Sequence, residues 1–255
     1  MKIYVCVKQV PDSAASIRIR GENRIHEDIT FVMNPCDEHA LTEAVVISEK
    51  FNGCETIALC LGPPRARETL MSAMAMGASR SILIESETDH DSITTARALK
   101  KAIDLDGAPD LIFTGKEAMD TNGMQTMFRL AALYRIPAVT NAVDVRVDGK
   151  EALVTSEAEQ GVCSTWKMKL PCVVSAGKAL NLPGYPTLRQ IMTARKKKME
   201  IIAFSDLDLE KPMGGTTILK LDPWVEKRQA TWLQGSSREI ADQLVTILHH
   251  KAKVI

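Results

Sequence analysis

The chain has 255 residues, 45% of them apolar and 25% charged, enough for one sizeable α/β core with residues left over. Lysine plus arginine equals aspartate plus glutamate at 32 each, so no global field directs it to nucleic acid or to a membrane surface. No apolar run approaches the ~18 residues of a membrane span, and the opening stretch 1–8 is too short for a signal peptide and contains Lys8. The expectation is a cytoplasmic protein with no integral membrane segment and no nucleic-acid partner.

In chain order, short apolar runs alternate with helical patterns over roughly the first 180 residues. Residues 2–8 read as a strand. Ala40, Ala44, Ile47 and Phe51 then recur at helical spacing, with Leu41 and Val45 beside them. Thr56 to Leu61 reads as a second strand, closed by Gly62-Pro63-Pro64. Ala66, Leu70, Ala73, Met74 and Gly77 form the next helical stripe, followed by a strand from Ser81 to Ile84. Ile93, Ala96, Leu99 and Ile103 mark a helix, Asp110 to Thr114 a fourth strand, and Met127, Leu130, Ala131 and Tyr134 a further helix. Such alternation is the signature of an α/β fold with a doubly wound, mostly parallel, Rossmann-like sheet.

The texture then changes. Val143 to Val147 and Ala152 to Ser156 flank Asp148-Gly149-Lys150, the pattern of an antiparallel hairpin near 143–156. Leu170 to Ser175 returns to a buried strand. From about Ala179 the pattern loosens, with Pro183, Gly184, Pro186, Pro212, Gly214, Gly215 and Pro223. Ser236 and Glu239 form a capping box ahead of Ile240, Leu244, Ile247 and Leu248. The division expected is an α/β domain over 1–180 and, over 181–255, a looser segment with a C-terminal arm of the kind usually held by another chain.

The six cysteines include no C-x-x-C pair, and Cys6, Cys60 and Cys172 lie in apolar runs, which reads as buried free thiols. The five histidines have no metal-ligand spacing apart from the adjacent His249-His250, whose side chains leave a helix at different angles. Nucleophile-elbow, Walker A and G-x-G-x-x-G motifs do not occur, which favours binding over catalysis; no catalytic residue and no metal site are assigned. In a doubly wound sheet ligands bind outside the carboxyl ends of the strands. Four such ends are unusual: Lys8 to Asp12, Met33 to Glu38, Leu61 to Pro64, and Gly115 to Thr126. The last leads into a helix whose first N–H groups favour a phosphate. There Asp120 and Asn122 can accept from a ribose or cap the helix, and Gln125 and Thr126 can donate to phosphate oxygens. Taken singly, each loop is also ordinary turn and cap chemistry.

These motifs, in this order, resemble the electron-transfer flavoprotein β subunit: Val7 to Asp12, Met33-Asn34-Pro35 before an acidic helix start, Gly62-Pro63, Ala75 to Ala78, Gly115 to Asp120, Ile136 to Thr140, Leu170 to Val174 and Tyr185 to Lys198. The resemblance spans about residues 1–200. It implies a heterodimer with a larger α subunit that carries most of the FAD contacts, and a β subunit that holds AMP, or a second FAD in electron-bifurcating members. The matching nucleotide-site positions are Cys6, Asn34, Pro35, Cys36, Asp37, Gly62, Asp120, Asn122, Gln125 and Thr126. The family's loop for docking acyl-CoA dehydrogenase-type or other flavin dehydrogenase partners falls on Tyr185 to Lys198, with Leu188 as apolar anchor and Ile191, Met192 and Arg195 beside it. An exposed leucine among Arg189, Arg195, Lys196, Lys197 and Lys198 fits a small, fast-releasing contact guided by charge; a solvated basic face with Leu188, Ile191 and Met192 packed inward is the alternative. The chain departs from the family at Asn122, where a second acidic residue is usual, and at Met127, where glycine is usual. A stand-alone adenine-nucleotide-binding module of the stress-sensor type is the other reading, and it leaves the segment after residue 180 without a purpose.

Overall fold

The computed structural model describes residues 1–209, 215–223 and 230–254. The first strand, β1 (Lys2–Cys6), leads into an antiparallel ribbon of β2 (Gln9–Pro11) and β5 (Phe31–Met33), with a small hairpin of β3 (Ile19–Arg20) and β4 (Arg24–Ile25) between them. There follow α1 (Pro35–Lys50), β6 (Glu55–Gly62), α2 (Ala66–Met76), β7 (Arg80–Glu85), α3 (Ser92–Asp106), β8 (Leu111–Gly115) and α4 (Thr126–Tyr134). Then come β9 (Ala138–Asp148), β10 (Glu151–Glu157), β11 (Cys163–Lys169), β12 (Cys172–Ala176), α5 (Leu188–Ala194), β13 (Met199–Ala203) and α6 (Ser237–Thr246).

Among the described residues, nine strands form one sheet in the order β11-β10-β9-β12-β8-β1-β6-β7-β13. The stretch from β12 to β13 is parallel throughout. One apolar cluster, with Leu41, Ala44 and Ile47 of α1 and Leu70 and Ala73 of α2, covers one face; another, with Leu99 and Ile103 of α3 and Leu130 of α4, covers the other. The doubly wound expectation holds. Leu41 and Leu70 are fully buried, each stabilising by roughly 1.5–3 kcal/mol relative to exposure.

The helices start and stop where local chemistry directs. Pro35 opens α1 with Asp37 and Glu38 in its first turn and Lys50 in its last. Asp91 caps α3 by accepting from Thr94 N–H at 2.8 Å. Gly77 ends α2 at φ 130, and a Cβ there would lie 2.8 Å from Val45 Cγ1, so both backbone and space require glycine.

The hairpin is present, longer than the pattern suggested, and extended by β11. Its geometry demands a bend. Register places Lys169 beside Glu151, itself beside Asp148, while Val173 pairs with Ala138 at the other end of β9. A straight 11-residue strand spans about 36 Å, yet the four residue steps from Lys169 to Val173 cover at most ~14 Å. Hence β9 makes a sharp fold along its length. The fold lies at Asn141 (φ 54), where β9 carries an extra residue relative to β12; its amide donates to Glu157 O at 2.6 Å and braces the corner.

Two strands of the nine-stranded sheet escape the sequence pattern, as do the short strands β2 to β5. The edge strand β11 is polar and exposed except at Met168. The opposite edge strand, β13, pairs in parallel with β7 and follows the segment that reads as loose. Beyond it, 215–223 runs beside the β3–β4 hairpin, where Leu221 N–H donates to Glu22 O at 2.7 Å and Asn23 Nδ2 to Ile218 O at 3.2 Å. Ser236 and Glu239 form the expected capping box on α6, a helix with no buried residue. Pro212 and Gly214 lie outside the described residues. Among those described, no helix is long and apolar enough to cross a membrane.

Candidate functional site

From β1 the chain winds outward in one direction to β6 and β7, then returns to add β8 on the other flank of β1. The crevice between the carboxyl ends of β1 and β8 is therefore the topological switch point, where such sheets take ligands.

The sequence read 2–8 as one strand, but β1 ends at Cys6 because two partners take over. Val7 N–H still donates to Leu59 O at 2.9 Å, while Lys8 N–H donates to Asp37 Oδ2 at 2.7 Å. Gly115 N–H, at the end of β8, donates to the other oxygen of Asp37 at 2.9 Å. One carboxylate thus ties both lips of the crevice. The β2–β5 ribbon sets Asn34 beside Lys8, whose carbonyl accepts from Asn34 N–H at 2.9 Å. Asn34 Nδ2 then donates to Glu117 O at 2.8 Å, and its Oδ1 accepts from Met119 N–H at 3.2 Å. Asn34 and Asp37 are buried; their polar atoms hold the loop after β8 against the start of α1. Gly115 permits this approach, since a Cβ there would lie 2.7 Å from Cys36 Cβ and 2.8 Å from Cys36 carbonyl carbon.

Burial pushes the Asp37 carboxyl up to about 7, against the hydrogen bonds from Lys8, Asn34 and Gly115 that favour its charged form. Burial also pushes up the thiols of Cys6, Cys36 and Cys60, the last to about 12. They are packing groups held as thiols. All six cysteines are free.

Asp120 lies on the exposed loop after β8 and receives Lys8 Nζ on both oxygens, at 2.7 and 2.6 Å. The pair crosses the crevice mouth. Cys6, Asn34, Pro35, Cys36, Asp37, Gly62 and Asp120 accordingly gather at the carboxyl ends of β1, β6 and β8. Neither Asp120 nor Asn122 caps α4; the residue before α4 is Gln125, and no side chain caps this end. The Gln125 side chain accepts from Arg129, so its carbonyl oxygen faces back along the helix. Thr126 opens α4, and Asn122 and Met124 both take left-handed conformations (φ 47 and 49) in the exposed loop. Met127 is buried, its sulfur accepting from Thr114 Oγ1 at 3.7 Å and Thr140 Oγ1 at 3.9 Å. It packs behind the helix, away from the loop.

The β6–α2 turn joins the same edge. Gln9 Nε2 donates to Arg65 O at 3.2 Å and to Thr69 Oγ1 at 3.1 Å, and the Arg65 guanidinium sits 4.4 Å above the Phe31 ring. Lys8 belongs to the Lys8 to Asp12 strand end that the sequence marks as unusual but not to the positions that the resemblance carries over; its ion pair with Asp120 sets it beside them.

In the segment from Tyr185 to Lys198, Leu188 is 76% exposed and Met192 53%, while Ile191 is 38% exposed and Arg195 also faces solvent. The inward-packed alternative is not what the helix adopts; only Ala194 of α5 is buried. One correction concerns the basic cluster. Lys197 turns inward, donating to Met74 O at 2.9 Å and Ala78 O at 2.6 Å, and Lys198 pairs with Glu200 at 3.1 Å. The exposed apolar side chains are therefore flanked mainly by Arg189, Arg195 and Lys196.

A doubly wound α/β subunit with a ribbon-fastened switch point and an exposed apolar helix after its last central strand is the class of protein that these features define. The electron transfer flavoprotein domain model matches residues 24–207. The chain is 32% identical over 260 residues to the electron transfer flavoprotein subunit beta of Bacillus subtilis, covering all of both chains. It is 36% identical over 229 residues to the Bos taurus subunit beta, covering 88% of this chain and 89% of the relative. Similarity extends to the caffeyl-CoA reductase-Etf complex subunit CarD of Acetobacterium woodii, at 30% over 264 residues and 98% and 99% coverage. The chain belongs to the electron transfer flavoprotein β-subunit family.

Proposed function

We propose that this chain is the smaller subunit of a heterodimeric electron-transfer flavoprotein, relaying electrons between a flavin and partner dehydrogenases or reductases while holding an adenine nucleotide at the β1–β8 edge. The observation that carries the reading is the tie at the switch point, where Asp37 and Asn34 fix three loops around a crevice spanned by Lys8 and Asp120. The residues fit an adenine nucleotide: the N–H groups opening α4 have no side-chain cap and suit a phosphate, and Asp120 and Asn122 suit ribose hydroxyls. Cys6, Cys36 and Gly62 offer small apolar surface for the base. Lys8 compensates Asp120 until a ligand engages it. The nucleotide is AMP in a simple relay subunit, or a second FAD in a bifurcating one. Flavin, when bound, supplies the redox chemistry; the protein contributes distance and environment.

An α subunit is the partner that the C-terminal segment fits. Ile240, Leu244, Ile247 and Leu248 share one face of α6 and its continuation, and none is buried on this chain. A stand-alone module has no use for that face. Dehydrogenases of acyl-CoA dehydrogenase type, or other flavin dehydrogenases, dock on Leu188, Ile191, Met192 and Arg195.

Co-expression with a paired α subunit, followed by counting the FAD and AMP released per heterodimer, tests the reading. One FAD and one AMP is the simple relay; two FAD and no AMP is the bifurcating form. No heterodimer and no flavin sinks the proposal in favour of the stand-alone module. Leu188→Ala should slow transfer to a dehydrogenase about tenfold, the loss of one modest hot spot, at unchanged flavin content.

A further inference from the structure

The segment between β12 and β13 exposes its apolar side chains unusually far. Leu182 is 91% exposed, Tyr185 99% and Leu188 76%. A loop carrying such groups would ordinarily collapse or sample many arrangements, and ordering it on contact would weaken binding. Both of its ends are fastened here.

At the entrance, Asn181 Nδ2 donates to His39 O and to Glu43 Oε2, each at 3.0 Å, while Asn181 O lies 3.0 Å from His39 Nδ1. All three contacts are to α1. At the exit, Lys197 Nζ reaches the C-terminal end of α2, donating to Met74 O in its last turn and to Ala78 O just beyond the Gly77 cap. Helix C-termini leave carbonyls unsatisfied and favour a cation, so an ammonium with three donors is well matched there. Among the described residues, no carboxylate is paired with it. Immediately after, Lys198 O accepts from Ser81 N–H at 3.1 Å, starting the β13–β7 ladder. Between the two anchors, Thr187 and Gln190 form a reciprocal capping box, with Thr187 N–H donating to Gln190 Oε1 at 2.7 Å, and Ala194 packs into the core.

We infer that Lys197 and Asn181 are positioning residues for docking, bolting the two ends of the 182–196 segment to α2 and α1 so that its apolar tip meets a partner already ordered. The inference rests on the docking reading above and deepens it. It also separates two roles within one run of cations. Arg195 and Lys196 face solvent and steer; Lys197 is turned inward and holds.

Steering charges change the association rate and its dependence on salt, whereas a positioning residue changes neither. The test uses the α–β heterodimer with an acyl-CoA dehydrogenase-type partner, comparing Lys197→Met, Asn181→Ala, Lys196→Gln and Leu188→Ala. Lys197→Met keeps the aliphatic stem and removes the donors. Expected for it are faster amide hydrogen exchange over 188–194, a KM for the partner raised roughly fivefold, unchanged kcat and flavin content, and an unchanged salt slope. Asn181→Ala should move the same quantities the same way, and decides the matter where Lys197→Met fails to fold. Lys196→Gln should lower the salt slope and leave exchange alone. Raised exchange with a wild-type KM overturns the inference, as does a salt slope that falls in Lys197→Met as in Lys196→Gln. Unchanged partner kinetics in Leu188→Ala overturns the docking reading and the inference with it, which the exchange data distinguish from a failed anchor.

Discussion

The two ends of the same parallel strands handle buried charge in opposite ways. At the amino ends of β1, β6 and β7, Arg80 donates to Glu55 at 2.7 Å and to Asp106 at 2.7 Å, and Tyr4 and Lys2 converge on Asp106 as well. Burial alone would raise the Asp106 carboxyl, but Arg80, Tyr4 and Lys2 hold it at about 2. Charge there is neutralised by charge. At the carboxyl ends, Asp37 faces backbone N–H groups and the Asn34 amide, and burial leaves it near 7. The first arrangement is self-sufficient and closes the bottom of the sheet. The second fastens loops through neutral donors and keeps its exposed ion pair, Lys8 with Asp120, at the rim. The fold thus places its rigid charge network at the end of the strands opposite the β1–β8 switch point.

Breaking each end in turn sharpens the contrast. The largest effect belongs to Arg80→Met, which leaves Glu55 and Asp106 without their shared partner and should cost about 3–5 kcal/mol, read by denaturant unfolding, with nucleotide occupancy unchanged. Reduced occupancy in a folded Arg80→Met would show that the two ends are coupled.

Next comes Asp37→Asn. The amide supplies one acceptor where two N–H groups need one each, a loss of roughly 1–3 kcal/mol. The variant also carries a pH signature. A carboxyl raised from 3.8 to about 7 on folding binds its proton more tightly in the native state, so its contribution is most favourable below pH 4 and declines as pH rises towards 7. Wild-type stability should therefore fall across that window, by no more than about 1.4 kcal/mol per pH unit from this group, and Asp37→Asn should flatten the slope. An identical slope in both proteins would assign the titration elsewhere.

The smallest effect on stability is expected of Asp120→Ala, below about 1 kcal/mol for an exposed pair. It should nevertheless lower the nucleotide released from the purified heterodimer. Full occupancy would remove Asp120 from the site.

Much of the central sheet was legible because its strands are buried on both faces, so Ile57 to Cys60 and Leu111 to Phe113 read as unbroken apolar runs. The edges were not. Residues of β11 face solvent and carry Ser164, Thr165, Lys167 and Lys169; β13 interrupts its apolar residues with Glu200. The loops of the site were visible as turn chemistry at strand ends, but the tie between Lys8 and Asp120 joins positions 112 apart, which no local pattern reveals. Lys197 illustrates the same limit. Three consecutive lysines look equivalent in sequence, and only the nearby end of α2 makes one of them different.

The anchor at the exit of α5 also has a consequence for assembly in time. Lys197 reaches back 119 positions to Ala78, and β13 pairs with β7 across all the chain that supplies β8 to β12, the opposite half of the sheet. Contacts of that sequence separation form late, because the loop they close must first be collapsed. A half-folded chain thus lacks the fastening that holds α5 and its exposed apolar side chains in place.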